Sequence, residues 1–583
     1  MRKQTKVVAV ASAAALLAIG GAMTSFAAQG WVEEDGTWYY YDKDGNRVED
    51  EWKKSGDNWF WLDSEENGAM ATDKLVDDDS DLYYVDANGV MVKNTWVKVV
   101  NEDQDDDDPA EYHYYYMQAS GKAYKASDNS SNTKFRTIDG KRYAFDSDGK
   151  MLYGWVTDDG ELATGDDGWR EAKYYCGSWE DGSMKTGWQK ITVYDDADGK
   201  DDDYDYWFNF KSNGEKRGLN TGKENWKSNG KYYSFDERGV MIYEWAEKAS
   251  SNNTASVSNW RYYNSPEDGA RQTKGWFKVV APGADNDNTF REDLGTDDTF
   301  AATLANDEDD KWFYADSKGV LYQGIIKSIK GKYYGFWPEG SGKAGAMLTG
   351  LCVLQMDGDK IVSVIDDDID SDNLDDILDG DYNGGSVNQA DWGNDVCLYY
   401  FGSDEDTDGA MKTGTTTVTL DGSSYNFNFQ KTGSASSGRG KGVTGIDDKK
   451  YVYSYGCRIK ADSDDKYQLV QVWNDEEEST NFNINSEGVH VMKLDAPTDF
   501  EYSYTNKESE TVNYNTLSAD RGVLRLVNTS GNIQKNKTAA KDGNDCYYYV
   551  KNYAPVLYTD NKTIKGNDDY SSISKWEDLV DAE

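Results

Sequence analysis

The feature that most constrains this chain is a ladder of aromatic clusters. Trp31 is followed seven residues later by Trp38-Tyr39-Tyr40, Trp52 by Trp59-Phe60-Trp61, and Leu75 by Leu82-Tyr83-Tyr84. The leading positions 31, 52, 75 and 96 lie 21, 23 and 21 residues apart. Each cluster runs into a glycine turn and often into Gly-x-Met, ending at Met70, Met91, Met151, Met184, Met241, Met347 and Met411. Those seven are more than half of the chain's 12 methionines, so coincidence explains them poorly. Self-similarity at a short fixed period marks a repeat architecture.

The pattern recurs with drift. Gly154-Trp155 leads to Tyr174-Tyr175, and Gly187-Trp188 to Tyr206-Trp207-Phe208. Tyr232-Tyr233 leads to Trp245, and Trp260-Arg261-Tyr262-Tyr263 to Gly275-Trp276. Trp312-Phe313-Tyr314 and Tyr333-Tyr334 continue it. Each unit reads as a β-hairpin, with tight turns from Asp-x-x-Gly and Asp-x-Asp-Gly, as in Asp42 to Gly45 and Asp146 to Gly149. A lone hairpin is barely stable. Stacked hairpins bury each other's rings, which predicts an all-β solenoid of stacked repeats.

Composition agrees. Tyrosine, at 43 residues, outnumbers leucine, and 14% of the chain is aromatic. Glycine is frequent (56) and proline rare (6), as expected for short strands joined by turns. The net charge is −45, which argues against duplex nucleic acid, because phosphates need a basic footprint. With two histidines, His113 and His490, and five scattered cysteines, zinc sites and His-based triads are nearly excluded. The cysteines read as small apolar fillers of ring-rich strands.

The N-terminus reads as a targeting segment. Arg2, Lys3 and Lys6 precede an apolar run from Val7 to Ala22, and then Ser25-Phe26-Ala27 presents small residues where a signal peptidase cuts. Cleavage is expected after Ala27. No later apolar run is long enough to span a membrane.

The succession Gly-Trp, aromatic triplet, Gly-x-Met-x-Thr-Gly-Trp, seen best at Gly182-Ser183-Met184-Lys185-Thr186-Gly187-Trp188, resembles the choline-binding, or cell-wall-binding, repeat family. Glucan-binding and clostridial toxin repeats are similar. The resemblance is strong over about residues 30–350 and weaker over 396–583. It implies a left-handed solenoid with choline held in cages between consecutive repeats. The implied cage residues are Trp31 and Trp38 with Trp59 to Trp61, and Trp52 and Trp59 with Tyr83 or Tyr84. Further candidates are Trp155 with Tyr174, Trp188 with Trp207, Trp245 with Trp260, and Trp276 with Trp312 followed by Tyr333. The chemistry suits a quaternary ammonium, which donates no hydrogen bond but is attracted to ring faces by about 0.5–2 kcal/mol per contact. Many weak sites on one array gain strength through avidity.

Departures from the pattern define the rest of the layout. Leu75, Leu351 and Thr415 stand where a leading Trp belongs. Aspartate runs at 105–108, 195–203 and 366–381 read as acidic loop insertions. Asp404-x-Asp406-x-Asp408-Gly409 matches the start of a calcium loop, but Thr415 stands where a bidentate Glu belongs, and a hairpin turn explains the same residues. The expected organisation is a signal peptide (1–27), a repeat array (28–350), an acidic insertion or linker (351–395) and degenerate repeats of the same type (396–583). The reading is a secreted, non-enzymatic surface protein of a Gram-positive-type envelope, with no cofactor and no metal. It would be held non-covalently by choline or another cell-wall polymer, teichoic acid or glycan. Two alternatives stay open: an adhesin for glucans or host glycans, and a cell-wall hydrolase with catalytic residues in the insertions.

Overall fold

The computed structural model describes residues 29–580 except 128–131, 198, 249–255, 283–287, 292–298, 301–308, 405 and 485. The expected signal peptide lies outside the described residues. Antiparallel hairpins supply nearly all the regular structure, and the longest helix among the described residues is Ser371–Asp379.

The repeat is built as follows. Strands Gly30–Glu34 and Thr37–Tyr41 pair so that Trp31 stands opposite Tyr40. Strands Glu51–Ser55 and Asn58–Asp63 place Trp52 opposite Trp61 in the same way. The tip between the first two strands is Asp35-Gly36, both at positive φ (51° and 87°), the conformation of a two-residue hairpin turn. The Asp-x-x-Gly motif makes the next corner instead of the hairpin tip. There Asp42 Oδ1 accepts the N–H groups of Asp44 and Asn46, both at 2.8 Å. Asp146 does the same for Asp148 (2.9 Å) and Lys150 (2.8 Å). Backbone bonds close the same corners, from the Asp42 N–H to Asn46 O (2.9 Å) and from the Asp146 N–H to Lys150 O (2.9 Å).

After that corner, the Gly-x-Met segment returns as a short third strand. Met91 pairs with Val85, Met151 with Phe145 and Met241 with Phe235. Its methionine ties three elements together. The backbone N–H donates to the preceding hairpin: Met91 to Trp59 O (2.9 Å), Met151 to Tyr114 O (2.7 Å) and Met241 to Trp207 O (2.8 Å). The side chain then lies against the glycine of the following turn: Met91 at Gly121, Met151 at Gly182, Met184 at Gly214 and Met241 at Gly269. The motif therefore couples each repeat to both neighbours.

The chain forms two compact units, Met1–Ile242 with Ser265–Ala270, and Tyr243–Asn264 with Arg271–Glu583. In the first, the core is a series of small clusters, each drawn from nearby repeats. One is Trp61, Val76, Tyr83 and Val85; another is Leu82, Val97, Tyr115 and Met117. That is the quasi-one-dimensional packing of a solenoid.

The second unit corrects part of the expected layout. Residues 351–395, expected to be an acidic insertion or linker, carry regular structure. Leu351–Asp357 and Lys360–Asp366 are central strands of a five-stranded sheet with Ile325–Ile329, Lys332–Phe336 and Val396–Tyr400. The acidic run 366–381 is largely the helix Ser371–Asp379, whose Leu374, Ile377 and Leu378 are buried. Asp370 caps its N-terminus through the Asn373 N–H (2.7 Å). Beyond 396, hairpins persist but merge into wider sheets; Tyr467–Asn474, for example, is paired on both edges. An aliphatic core that includes Leu351, Val353, Leu398, Val470, Val472 and Val527 joins distant segments, unlike a ladder. The physical reason is composition: β-branched strands buried on a common core replace ring-on-ring stacking.

The acidic runs in the first unit divide. Asp105 to Asp108 lie in a loop between strands Thr95–Val100 and Tyr112–Met117, as expected. The run 195–203 instead extends a hairpin, Gly187–Asp195 with Asp202–Phe210. Asp195 is fully buried there, accepting from Tyr206 Oη (2.7 Å) and pairing with Arg170 (2.8 Å) and Arg238 (3.0 Å). Burial raises its pKa, but Tyr206 and the two guanidinium groups outweigh this and hold the carboxyl below its usual range.

Candidate functional site: the aromatic seams

The leading indole of each repeat faces two ways. It packs on the ring opposite it in its own hairpin and on a ring of the next hairpin. Trp31 meets Tyr40 (5.5 Å between centroids) and Phe60 (5.3 Å). Trp52 meets Trp61 (5.3 Å) and Tyr83 (5.1 Å). Trp155 meets Tyr175 (4.8 Å) and Phe208 (5.1 Å). Trp276 meets Tyr314 (5.2 Å) and Tyr334 (4.8 Å). Most of these contacts are edge-to-face, the arrangement the ring quadrupole favours.

Two seams hold a matching constellation. Trp188 and Trp207 meet at 83° with centroids 6.3 Å apart, and Trp276 and Trp312 at 86° and 6.2 Å. All four indoles are half-buried. A third ring closes each corner from the next hairpin, Tyr233 at 5.0 Å from Trp188 and Tyr334 at 4.8 Å from Trp276. Opposite the second indole of each corner stands a lysine, Lys190 beside Trp207 and Lys278 beside Trp312.

Each corner also has a carboxylate at its rim. Glu267 accepts from Trp207 Nε1 (3.2 Å) and pairs with Lys190 (2.7 Å). Asp406 accepts from Trp312 Nε1 (2.9 Å) and pairs with Lys278 (2.8 Å). The lysine hydrogen bond and then the indole hydrogen bond hold both carboxyls below their usual range. Trp52 Nε1 likewise donates to Asp78 (3.1 Å). A right-angled pair of indoles with a third ring can surround a compact cation with π faces, and a rim carboxylate adds attraction for charge.

The expected site residues fall into two groups. Trp31, Trp38, Trp52, Trp59, Trp155, Trp188, Trp207, Trp276, Trp312 and Tyr333 are half-buried. Trp38 and Trp59 stand opposite Glu33 and Lys54 across their hairpins. Trp61 (6% exposed), Tyr83 (9%) and Tyr174 (7%) are buried inside the seams. Trp245 and Trp260 are 0% exposed and must be corrected from ligand contacts to core. Both lean on Phe300, and Trp245 Nε1 donates to Val280 O (2.8 Å). A hollow of about 210 Å³ touches Trp245 and Tyr262, but with no accessible surface Trp245 offers it no open face. Tyr333 does not complete the Trp276 corner; its neighbour Tyr334 does, while Tyr333 packs near Ile326 and under Arg439. Tyr333 and Tyr334 alternate across their strand, so a one-residue error exchanges faces.

Two further rings belong to the seams. Trp226 packs on Trp188 (5.5 Å) with Arg217 over its face (4.2 Å), and its spacing of seven residues to Tyr233 was a readable signal. Trp96 packs between Tyr116 (5.2 Å) and Tyr143 (4.9 Å).

The calcium-like segment is otherwise engaged. Asp404 caps the N–H groups of Asp406 and Thr407 (both 2.9 Å), Asp406 serves Lys278 and Trp312, and Asp408 pairs with Lys412. These carboxylates diverge to separate partners. Cys176, Cys352, Cys397 and Cys457 are buried, and burial pushes the Cys176 and Cys457 thiols up to about 12, consistent with filler roles. His113 pairs with Asp108 (2.7 Å) and His490 with Asp475 (2.8 Å). No helix among the described residues is long and apolar enough to cross a membrane.

No family profile matches the chain, and no curated protein matches it. Solved structures do. The modular autolysin LytC from Streptococcus pneumoniae, in complex with a synthetic peptidoglycan ligand, is 18% identical with a TM-score of 0.28. That match covers 53% of this chain and 51% of the autolysin, so the chain spans about half of that protein's length. Choline-binding protein F from Streptococcus pneumoniae, in the presence of a peptidoglycan analogue, is 16% identical over 75% of this chain and 100% of that one, with a TM-score of 0.25. The choline-binding domain of CbpL from Streptococcus pneumoniae is 24% identical over 37% of this chain and 88% of that one, with a TM-score of 0.22. These superpositions are partial. The solved structures similar to this chain thus include choline-binding proteins, the family that its Gly-x-Met-x-Thr-Gly-Trp motif resembles.

Proposed function

We propose that this protein is a secreted, non-enzymatic surface protein that attaches non-covalently to a choline-bearing or related cell-wall polymer of a Gram-positive-type bacterium. The observation that carries the reading is the duplicated three-ring corner, Trp188, Trp207 and Tyr233, and again Trp276, Trp312 and Tyr334. Three faces contributing about 0.5–2 kcal/mol each make a weak site for a quaternary ammonium, and repetition along one chain makes attachment firm. The test is a choline titration of the mature chain followed by tryptophan fluorescence, together with elution of the protein from cell walls by free choline. A flat titration with no elution would overturn the reading. Turnover of purified peptidoglycan would overturn its non-enzymatic part.

A second reading, binding of a neutral glycan, is favoured by the rim carboxylates Glu267 and Asp406, which can accept from sugar hydroxyls beside an indole face. Saturable quenching by a neutral oligosaccharide, with none by choline, would select it.

A further inference from the structure

Away from the two three-ring corners, one hollow in the first unit reverses the charge balance of the whole chain. Its volume is about 190 Å³, and among the described residues its wall carries Lys125, Lys134 and Arg136 against one carboxylate, Asp159. The chain as a whole has 107 acidic and 62 basic residues. The other cations of this unit differ in their partners: Lys74 pairs with Asp63 (2.6 Å), Lys141 with Asp181 (3.0 Å) and Lys173 with Asp158 (2.8 Å), while Lys216 donates to backbone carbonyls and Arg217 lies over Trp226. Lys125, Lys134 and Arg136 have no ion-pair partner among the described residues. Asp159 is engaged by the Thr157 hydroxyl and not by these cations.

The hollow also has a flat wall. Tyr124 and Phe145 line it, with centroids 5.8 Å apart. Arg136 lies over the Tyr124 ring at 5.4 Å, and Tyr124 stacks on Tyr116 at 13°. A guanidinium held by its face on a ring keeps its N–H edge for an oxyanion. The three cations share one hollow in which Arg136 rests on Tyr124, so an oxyanion placed there would relieve their mutual repulsion. Distant carboxylates do not cancel the local field, because screening at physiological salt acts within about 8 Å. The volume is below the roughly 300–1,000 Å³ of sites for drug-sized ligands, so it suits one charged group and the single ring bearing it.

We propose that this hollow binds an oxyanion, a phosphate or a carboxylate, carried on a sugar-sized unit whose flat face rests on Tyr124. The site is separate from the two three-ring corners at Trp188 and Trp276, although its Phe145 wall stacks on Trp96 (5.9 Å), and its anion binding does not require those corners to take choline. The test is calorimetric titration of the mature chain with glucose 6-phosphate, with glucuronate and with neutral glucose, at constant ionic strength. Saturable binding of either anion, and none of glucose, is the expected result, and the two arms decide between phosphate and carboxylate. Lys125→Gln combined with Arg136→Gln should weaken that binding at least tenfold. Lys134→Gln, on an exposed side chain away from the Tyr124 stack, should give a smaller loss of the same sign with the fold intact. Absence of saturable binding of both anions, equal binding of glucose, or unchanged affinity in both variants would overturn the proposal. Tryptophan fluorescence with choline, measured on the same samples, reports the seams independently.

Discussion

The thioether of Met151 occupies the space in which a side chain on Gly182 would stand. Gly182 also sits at φ +55°, so any other residue there is strained twice. Gly182→Ala should lower stability by about 1–3 kcal/mol. Gly36, at φ +87° with nothing within 4 Å, bears only the backbone strain, so Gly36→Ala should cost less. Urea unfolding of both variants checks the order, and Met151→Ala in the Gly182→Ala background should recover part of the loss.

Trp245 and Trp276 should separate folding from binding. Trp245 is 0% exposed, so Trp245→Ala should cost about 3–5 kcal/mol of stability. Below its unfolding transition that variant should keep wild-type choline affinity. Trp276→Ala removes a wall of a corner and should weaken choline binding by about 2–30-fold at a smaller stability cost. Thermal unfolding and titration of each variant measure the two effects side by side.

Glu267→Gln and Asp406→Asn keep an acceptor near each indole N–H but remove the charge at the rim. Because both carboxylates are exposed, stability should stay close to that of the wild type. Choline affinity should fall, and its dependence on salt should flatten. Affinity curves at low and high salt that match the wild type would mean the rim charge plays no part in recognition.

Lys216 gives a pH signature of the first unit. It is 2% exposed, and Nζ donates to the carbonyls of Trp169 (2.6 Å) and Arg170 (3.2 Å). Burial pulls its ammonium down to about 7, against the attraction of Asp236. Between pH 7 and 10.5 the unfolded chain therefore holds a proton that the folded chain has released. Stability from this residue rises with pH through that window and is level below it. At pH 9 the gain should be about 2–3 kcal/mol relative to pH 6. Urea midpoints of the wild type and Lys216→Met at the two pH values should diverge accordingly; parallel curves would refute it.

The repeat was legible because its signals are local. Seven-residue spacing from Trp31 to Trp38 and from Trp52 to Trp59 carries the chain across one hairpin turn, and it also marks Trp226 and Tyr233. Gly-x-Met announced contacts whose partners, the glycines of the next turn, are themselves repeat residues. Burial was less legible, since Trp245 and Trp260 stand beside aromatic clusters just as the half-buried rings do. Contacts set by tertiary packing, among them Phe300, Phe313 and the Val280 carbonyl, seal them in. The sheet built on Leu351–Asp357 was hidden for another reason. An acidic, glycine-rich segment looks like a linker, and its central strands are paired by distant segments. The rim acids were hidden because Glu267 and Asp406 reach their indoles from loops 60 and 94 residues away in sequence.

The methionine that belongs at once to its own turn, the hairpin before and the glycine after makes each repeat a rung shared by two neighbours. Loss of one such methionine therefore loosens the hairpin before it and the turn after it together, so damage at a single rung spreads to two neighbours and no further by direct contact.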